Sequence, residues 1–138
     1  MPQYMLMVYE DEVDAAAQAE RERQAVPLLL ELHAGLREAG LLVDVNALRR
    51  TESATSVRVR DGQKEITDGP FAVTKEVLAG YYVLECADLD EALEQAARLP
   101  MARWGTIEVR PVVPPSEWRE WARRSGVELT DEDVDNLA

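Results

Sequence analysis

The chain has 138 residues, 46% of them hydrophobic and 30% charged, with a formal net charge of −12. That length suits one domain with a real core, and that composition suits a soluble, folded one. The acidic balance argues against nucleic acid or anionic membrane as a direct partner, because both select a basic surface.

The first residues, "MPQYMLMVYE", have no basic leader and only a short apolar run, so they read as neither signal peptide nor membrane span. Gln3 to Tyr9 reads as a strand. Tyr4, Leu6 and Val8 point one way and Met5, Met7 and Tyr9 the other. Both faces are apolar, so the strand is expected to be covered on both. Glu10, Asp11, Glu12 and Asp14 follow as an acidic cluster and read as a solvated face. Ala15 to Ala39 reads as helix, ending at Gly40 as the glycine beyond its C-cap. Pro27 inside that pattern predicts a break or kink near Val26. A second segment, Pro27 to Ala39, would then begin with proline at its first position.

Leu41 to Leu48 reads as a second strand. Thr55 to Arg60 and Lys64 to Thr67 form a hairpin about Asp61-Gly62, a dipeptide suited to a tight turn. Leu78 to Cys86 is the next strand, and a helix from Leu89 to Leu99 is capped by Asp88 and stopped by Pro100. Gly105 to Val112 is the last strand, with Pro111 marking its end or a sheet edge. The order predicts an α+β, ferredoxin-like βαββαβ fold with an extra hairpin strand and an antiparallel sheet covered by helices on one side. A two-faced apolar first strand in such a sheet predicts a homodimer through the open face.

After Pro114-Pro115 the sequence changes character. "SEWREWARRSG" reads as a short helix capped by Ser116 and stopped at Gly126, with Trp118 and Trp121 on one side to dock it. "VELTDEDVDNLA" is acidic and expected to be partly disordered. The organisation predicted is a domain over residues 1–113 and a C-terminal extension over 114–138.

Several residues invite chemistry. In "ITDGPF", Asp68 cannot close an ordinary turn onto the residue two ahead, because Pro70 has no N–H. Its carboxylate is either a loop latch, reaching Phe71 N–H or another donor, or a proton acceptor, with Phe71 anchoring the loop among apolar neighbours. His33 shares a helical stripe with Val26, Leu29, Leu30 and Leu36, which aims its imidazole at the sheet. It is either a satisfied core histidine or a ligand contact. Among the strands' polar positions are Asp44, Arg58, Glu85, Glu108 and Arg110. Ile107 and Val109 should face the helices, and Glu108 and Arg110 the dimer seam or barrel interior, as an ion-pair network or a polar ligand site. Tyr82 and Tyr9 are candidates to line the same cavity. One His and one Cys give no metal-binding constellation, and no glycine-rich phosphate loop is present. Cys86 alone allows no internal disulfide, which fits a reducing cytoplasm.

The chain resembles the YCII-related proteins, in particular the DGPF subgroup. The resemblance is carried by "YMLMVYEDE" (4–12), "LREAGLLVDVNAL" (36–48), "VRVRDGQKEITDGPFAVTKEVLAGYYVLE" (57–85), "DLDEALEQAARLP" (88–100) and "GTIEVRPV" (105–112). It implies a dimeric α/β barrel of ferredoxin-like subunits. Most DGPF-type members have no assigned activity, and their genes often lie near, or are fused to, those of extracytoplasmic-function sigma factors. Better-studied YCII-related members are thought to use a His–Asp pair. Asp68 occupies the Asp of the DGPF motif, whereas the family's helix histidine would fall near Leu29, one turn before His33. Three functions are thus expected. The first is a cofactor-free small-molecule binder or accessory protein, its cavity between helix and sheet or at the dimer seam. The second is a cofactor-free lyase, isomerase or hydrolase using Asp68, with Arg58 or Arg110 holding an anionic group. The third is a regulatory partner of a sigma factor.

Overall fold

The structure, a computed structural model, describes residues 1–137. Among these residues six strands and four α-helices follow in chain order: β1 (Gln3–Asp11), α1 (Ala15–Glu38), β2 (Leu42–Ala47), β3 (Thr55–Arg60), β4 (Gln63–Asp68), β5 (Glu76–Glu85), α2 (Leu89–Arg98), β6 (Thr106–Pro111), α3 (Pro115–Arg124) and α4 (Asp131–Leu137). Strands β2, β5, β1 and β6 form one antiparallel sheet in that order, the ferredoxin-like arrangement expected. β6, carrying Pro111, lies at its edge. The hairpin does not lend this sheet a strand: β3 and β4 pair only with each other. Its turn has positive φ at both Asp61 (52°) and Gly62 (73°), which matches the twist of the flanking strands.

Strand register sorts the sheet into rows. On the helix side, Val45, Tyr82, Leu6 and Val109 lie side by side across all four strands. On the open side the rows are Asp44–Val83–Met5–Arg110 and Asn46–Tyr81–Met7–Glu108. The first kind is core: Tyr4, Leu6, Tyr82 and Leu84 pack with Leu32 and Leu36 of α1 and Ala92 and Ala96 of α2. The second kind is apolar in the middle and polar at both edges.

Two expectations about α1 are corrected. The helix is not broken at Pro27; it runs unbroken from Ala15 to Glu38. Pro27 and Arg23 are both exposed, so the Arg23 carbonyl that loses its N–H partner can be hydrated instead. The buried stripe is Ala25, Leu32 and Leu36, with Leu29 partly buried; Val26 and Leu30 are exposed at 50% and 70%. The stripe lies beside the one expected, so the helix meets the sheet rotated about its axis. The ends of α1 are well made. Asp14 accepts from Ala17 N–H (2.8 Å), and beyond the last turn Gly40 (φ 73°) and Leu41 donate to the Arg37 and Leu36 carbonyls.

The extension is more ordered than its composition suggested. Pro114, not Ser116, occupies the N-cap of α3, with Pro115 at the first position, and Gly126 (φ 82°) follows its end. The acidic segment forms α4. Thr130 and Asp133 cap it reciprocally, Thr130 N–H to Asp133 Oδ2 (2.8 Å) and Asp133 N–H to Thr130 Oγ1 (3.1 Å). Val134 is buried, Arg119 holds both the Leu129 carbonyl (2.9 Å) and Asp131, and Trp118 meets Trp121 edge-on at 5.2 Å. The main packing partner of α3 is thus α4. The last residue of the predicted extension, Ala138, lies outside the described residues.

Candidate functional site

On β1 the side chains alternate, and Tyr4, Leu6 and Val8 are buried against the helices. One more step of that alternation brings Glu10 to the same side. Here the apolar packing stops and a cavity of about 490 Å³ opens between α1 and the sheet, within the size range of small-molecule sites. Its walls are mostly apolar, including Val8, Ala25, Leu29, Val45 and Met101. Gly80 forms part of the lining. A Cβ there would lie 2.7 Å from the Asn46 carbonyl oxygen, so glycine is what lets β5 and β2 approach at this point.

Two polar groupings converge on the cavity. At one, His33 Nε2 and the Tyr82 hydroxyl are 2.6 Å apart, their rings edge to face. Burial, with help from the Arg37 charge, lowers the His33 pKa, and burial alone raises that of Tyr82 to about 12. At neutral pH both are therefore uncharged. Either the phenol donates to Nε2 or Nε2–H donates to the phenol oxygen, according to the tautomer. The pair can present a donor or an acceptor to a ligand at no charge cost.

At the other grouping, Glu10 Oε2 accepts from Trp104 Nε1 at 2.6 Å. Arg21 stacks over the Trp104 ring, 5.5 Å from its centroid, and its guanidinium is held by Asp11 through the carbonyl (2.9 Å) and Oδ1 (2.7 Å). That same contact lowers the Asp11 pKa. The neighbouring acid Glu12 accepts from Thr51 and lies near Arg50, and the Thr51 hydrogen bonds lower its pKa. The segment Glu10–Glu12, which reads in sequence as a solvated cluster, is thus built into the rim.

The other predicted residues lie elsewhere. Asp68 ends β4 opposite Thr55, exposed, and its carboxylate meets no hydrogen-bond donor among the described residues. The turn is latched instead by Gly69 N–H to the Ala54 carbonyl and Ser56 Oγ to the Gly69 carbonyl, both 2.8 Å. Phe71 does not anchor the loop in this chain; it is 82% exposed. Arg58 stands on β3, also exposed. Glu108 and Arg110 pair with each other at 2.5 Å on the open side of the sheet, while Ile107 and Val109 pack toward the helices as expected. Tyr9 lies beside Glu108 and Thr106 around a shallow hollow on that open side, so Tyr9 and Tyr82 do not share a cavity. Cys86 is fully buried, and burial raises its pKa, which leaves it a poor nucleophile.

Sequence reasoning found His33 and Tyr82 but not their direct bond, and missed Glu10, Arg21 and Trp104. Glu10 was within reach: it continues the period-two series of Tyr4, Leu6 and Val8. Arg21 and Trp104 had no local signal, since they meet only through the packing of α1 against the segment before β6. Among the described residues no three His, Cys, Asp or Glu side chains converge as metal ligands. No helix among them is long and apolar enough to cross a membrane.

The sequence profile of the YCII-related domain matches residues 2–119. An uncharacterized protein of Rhizobium meliloti (strain 1021) is 40% identical over 114 residues, a span that covers 79% of this chain and 90% of that protein.

Proposed function

This chain belongs to the YCII-related family, and from that premise we propose that it is a homodimeric protein binding a small molecule between α1 and the sheet. The observation that carries the binding reading is one cavity of about 490 Å³ with apolar walls, into which an uncharged His33–Tyr82 pair and Glu10 both project. Few convergent polar groups in an apolar hollow is how small-molecule sites are usually built. Asp68, Arg58, Glu108 and Arg110 lie outside it, which favours binding at His33–Tyr82 over chemistry at Asp68 within one subunit. The test is a thermal-shift screen of small ring compounds against the native protein and Ala47→Phe. Ala47 is exposed at the cavity mouth, so the larger ring should block entry without disturbing the core. Compounds that raise the melting temperature should lose that effect in the variant; stabilisation that survives Ala47→Phe would place binding elsewhere.

Support for the dimer comes from the open side of the sheet. Met5, Met7, Tyr81 and Val83 sit together in the middle of its rows, each only partly buried in the single chain. A second copy laid on this face would bury them, with the polar edge residues at the rim, the usual plan of a protein interface. The area expected is about 1,600 Å² in total or more. Sedimentation velocity at micromolar concentration should give a dimer that Met7→Lys converts to monomer. A native protein that sediments as a stable monomer defeats this part of the reading.

A further inference from the structure

We propose that the ligand of this cavity is a compact apolar or aromatic amine, its ammonium group bound by Glu10. The inference rests on the binding reading above and adds the ligand's charge.

A carboxylate oxygen of the lining remains without a partner among the described residues. Glu10 uses Oε2 to accept from Trp104, and no donor meets Oε1 among the described residues. Arg21, the one basic residue of the lining, is spoken for: both terminal nitrogens donate to Asp11. It therefore neither neutralises Glu10 by direct contact nor offers a free fork to an anion. His33, the other group able to become cationic, already bonds Tyr82 and lies in surroundings that disfavour its charged form. What faces the ligand is a carboxylate oxygen at one grouping, neutral groups at the other, and apolar walls around both.

The approach to the cavity has the same sign. A second hollow of about 450 Å³ adjoins the first and shares Glu10, Gln18 and Glu22 with it. It adds Asp11, Glu12 and Glu52 against Arg49 and Arg50, and Arg50 is turned to the Val13 carbonyl and Glu12. Acids outnumber arginines around the combined opening, on a chain of net charge −12. Such a field concentrates cations and repels anions. A charge-assisted hydrogen bond from an ammonium to a half-buried carboxylate is stronger than one from a neutral donor, and the apolar walls fit the remainder of the molecule.

Isothermal titration with three probes of nearly one shape tests this: phenethylamine, phenethyl alcohol and phenylacetate. The amine should bind about tenfold or more tighter than phenylacetate and several-fold tighter than the alcohol. Glu10→Gln keeps an acceptor for Trp104 and should weaken amine binding more than alcohol binding, so that the preference of amine over alcohol disappears. If the three bind alike, if phenylacetate binds tightest, or if the amine preference survives Glu10→Gln, the ammonium assignment falls and the cavity reading stands. If none binds up to millimolar concentration, the cavity reading falls and this one with it. The comparison on the native protein decides the matter even where Glu10→Gln fails to fold.

Discussion

Gly105→Ala should destabilise the protein by about 3 kcal/mol, the upper range for forcing an extra carbon into close packing. A Cβ at position 105 would lie 2.2 Å from the Tyr9 carbonyl oxygen and 3.2 Å from Glu10 Cβ. The obstacle is backbone, which has no rotamer by which to move away. Residue 105 immediately precedes β6, and the first pair of the β1–β6 ladder is Tyr9 with Thr106. Relief of the clash must therefore push the start of β6 off β1. Trp104 would move with it, away from Glu10 and Arg21. Two readouts should change together: the midpoint of denaturant unfolding falls, and Trp104 emission shifts to longer wavelength. Measuring the emission in a background with Trp118 and Trp121 replaced by Phe isolates it. A loss under about 1 kcal/mol with unchanged emission would show that the close approach at Gly105 does not hold this corner of the cavity.

Tyr82→Ala should cost about 3–5 kcal/mol, as for other large aromatic side chains removed from a core. Tyr82 is only 3% exposed, and its ring lies in the central row between Val45 and Leu6. Tyr82→Phe separates packing from polarity. It keeps the ring and removes the hydroxyl bonded to His33, and should cost about 1 kcal/mol, because half-buried His33 can still reach water at the cavity. The pair also fixes a pH dependence. The His33 pKa in the fold is below its ordinary value of 6.5, by burial first and the Arg37 charge second. The unfolded chain thus takes up this proton at higher pH than the folded one. The associated stability is present above about pH 6.5 and is lost as pH falls from there through the folded pKa. His33→Gln should flatten that part of the curve and leave the carboxylate part, at lower pH, in place. A Tyr82→Phe protein as unstable as Tyr82→Ala, or a native curve identical to that of His33→Gln, would contradict the paired arrangement.

The sequence by itself determined the element order, the alternation of β1, the hairpin at Asp61-Gly62, the Asp88 cap of α2 and, from these, the ferredoxin-like sheet. Each depends on local rules: period-two burial, positive φ at a turn, a side-chain acceptor at a helix start. It also singled out His33 and Tyr82, one from a helical stripe and one from an aromatic strand. The tertiary structure decided the rest. Whether Pro27 breaks α1 depends on whether the Arg23 carbonyl, left without its N–H donor, can be hydrated, which only the helix's exposed side settles. Which stripe of α1 is buried depends on its rotation against the sheet, and both Leu30 and Leu32 were apolar enough to qualify. The acidic tail forms a helix because Arg119 and a pocket for Val134 supply what its composition lacks. Glu10 was legible as an acid on the inward side of β1. Its role at the cavity was not, because that requires Trp104, ninety-four residues away, to donate to it, and a contact of such separation leaves no trace in local periodicity.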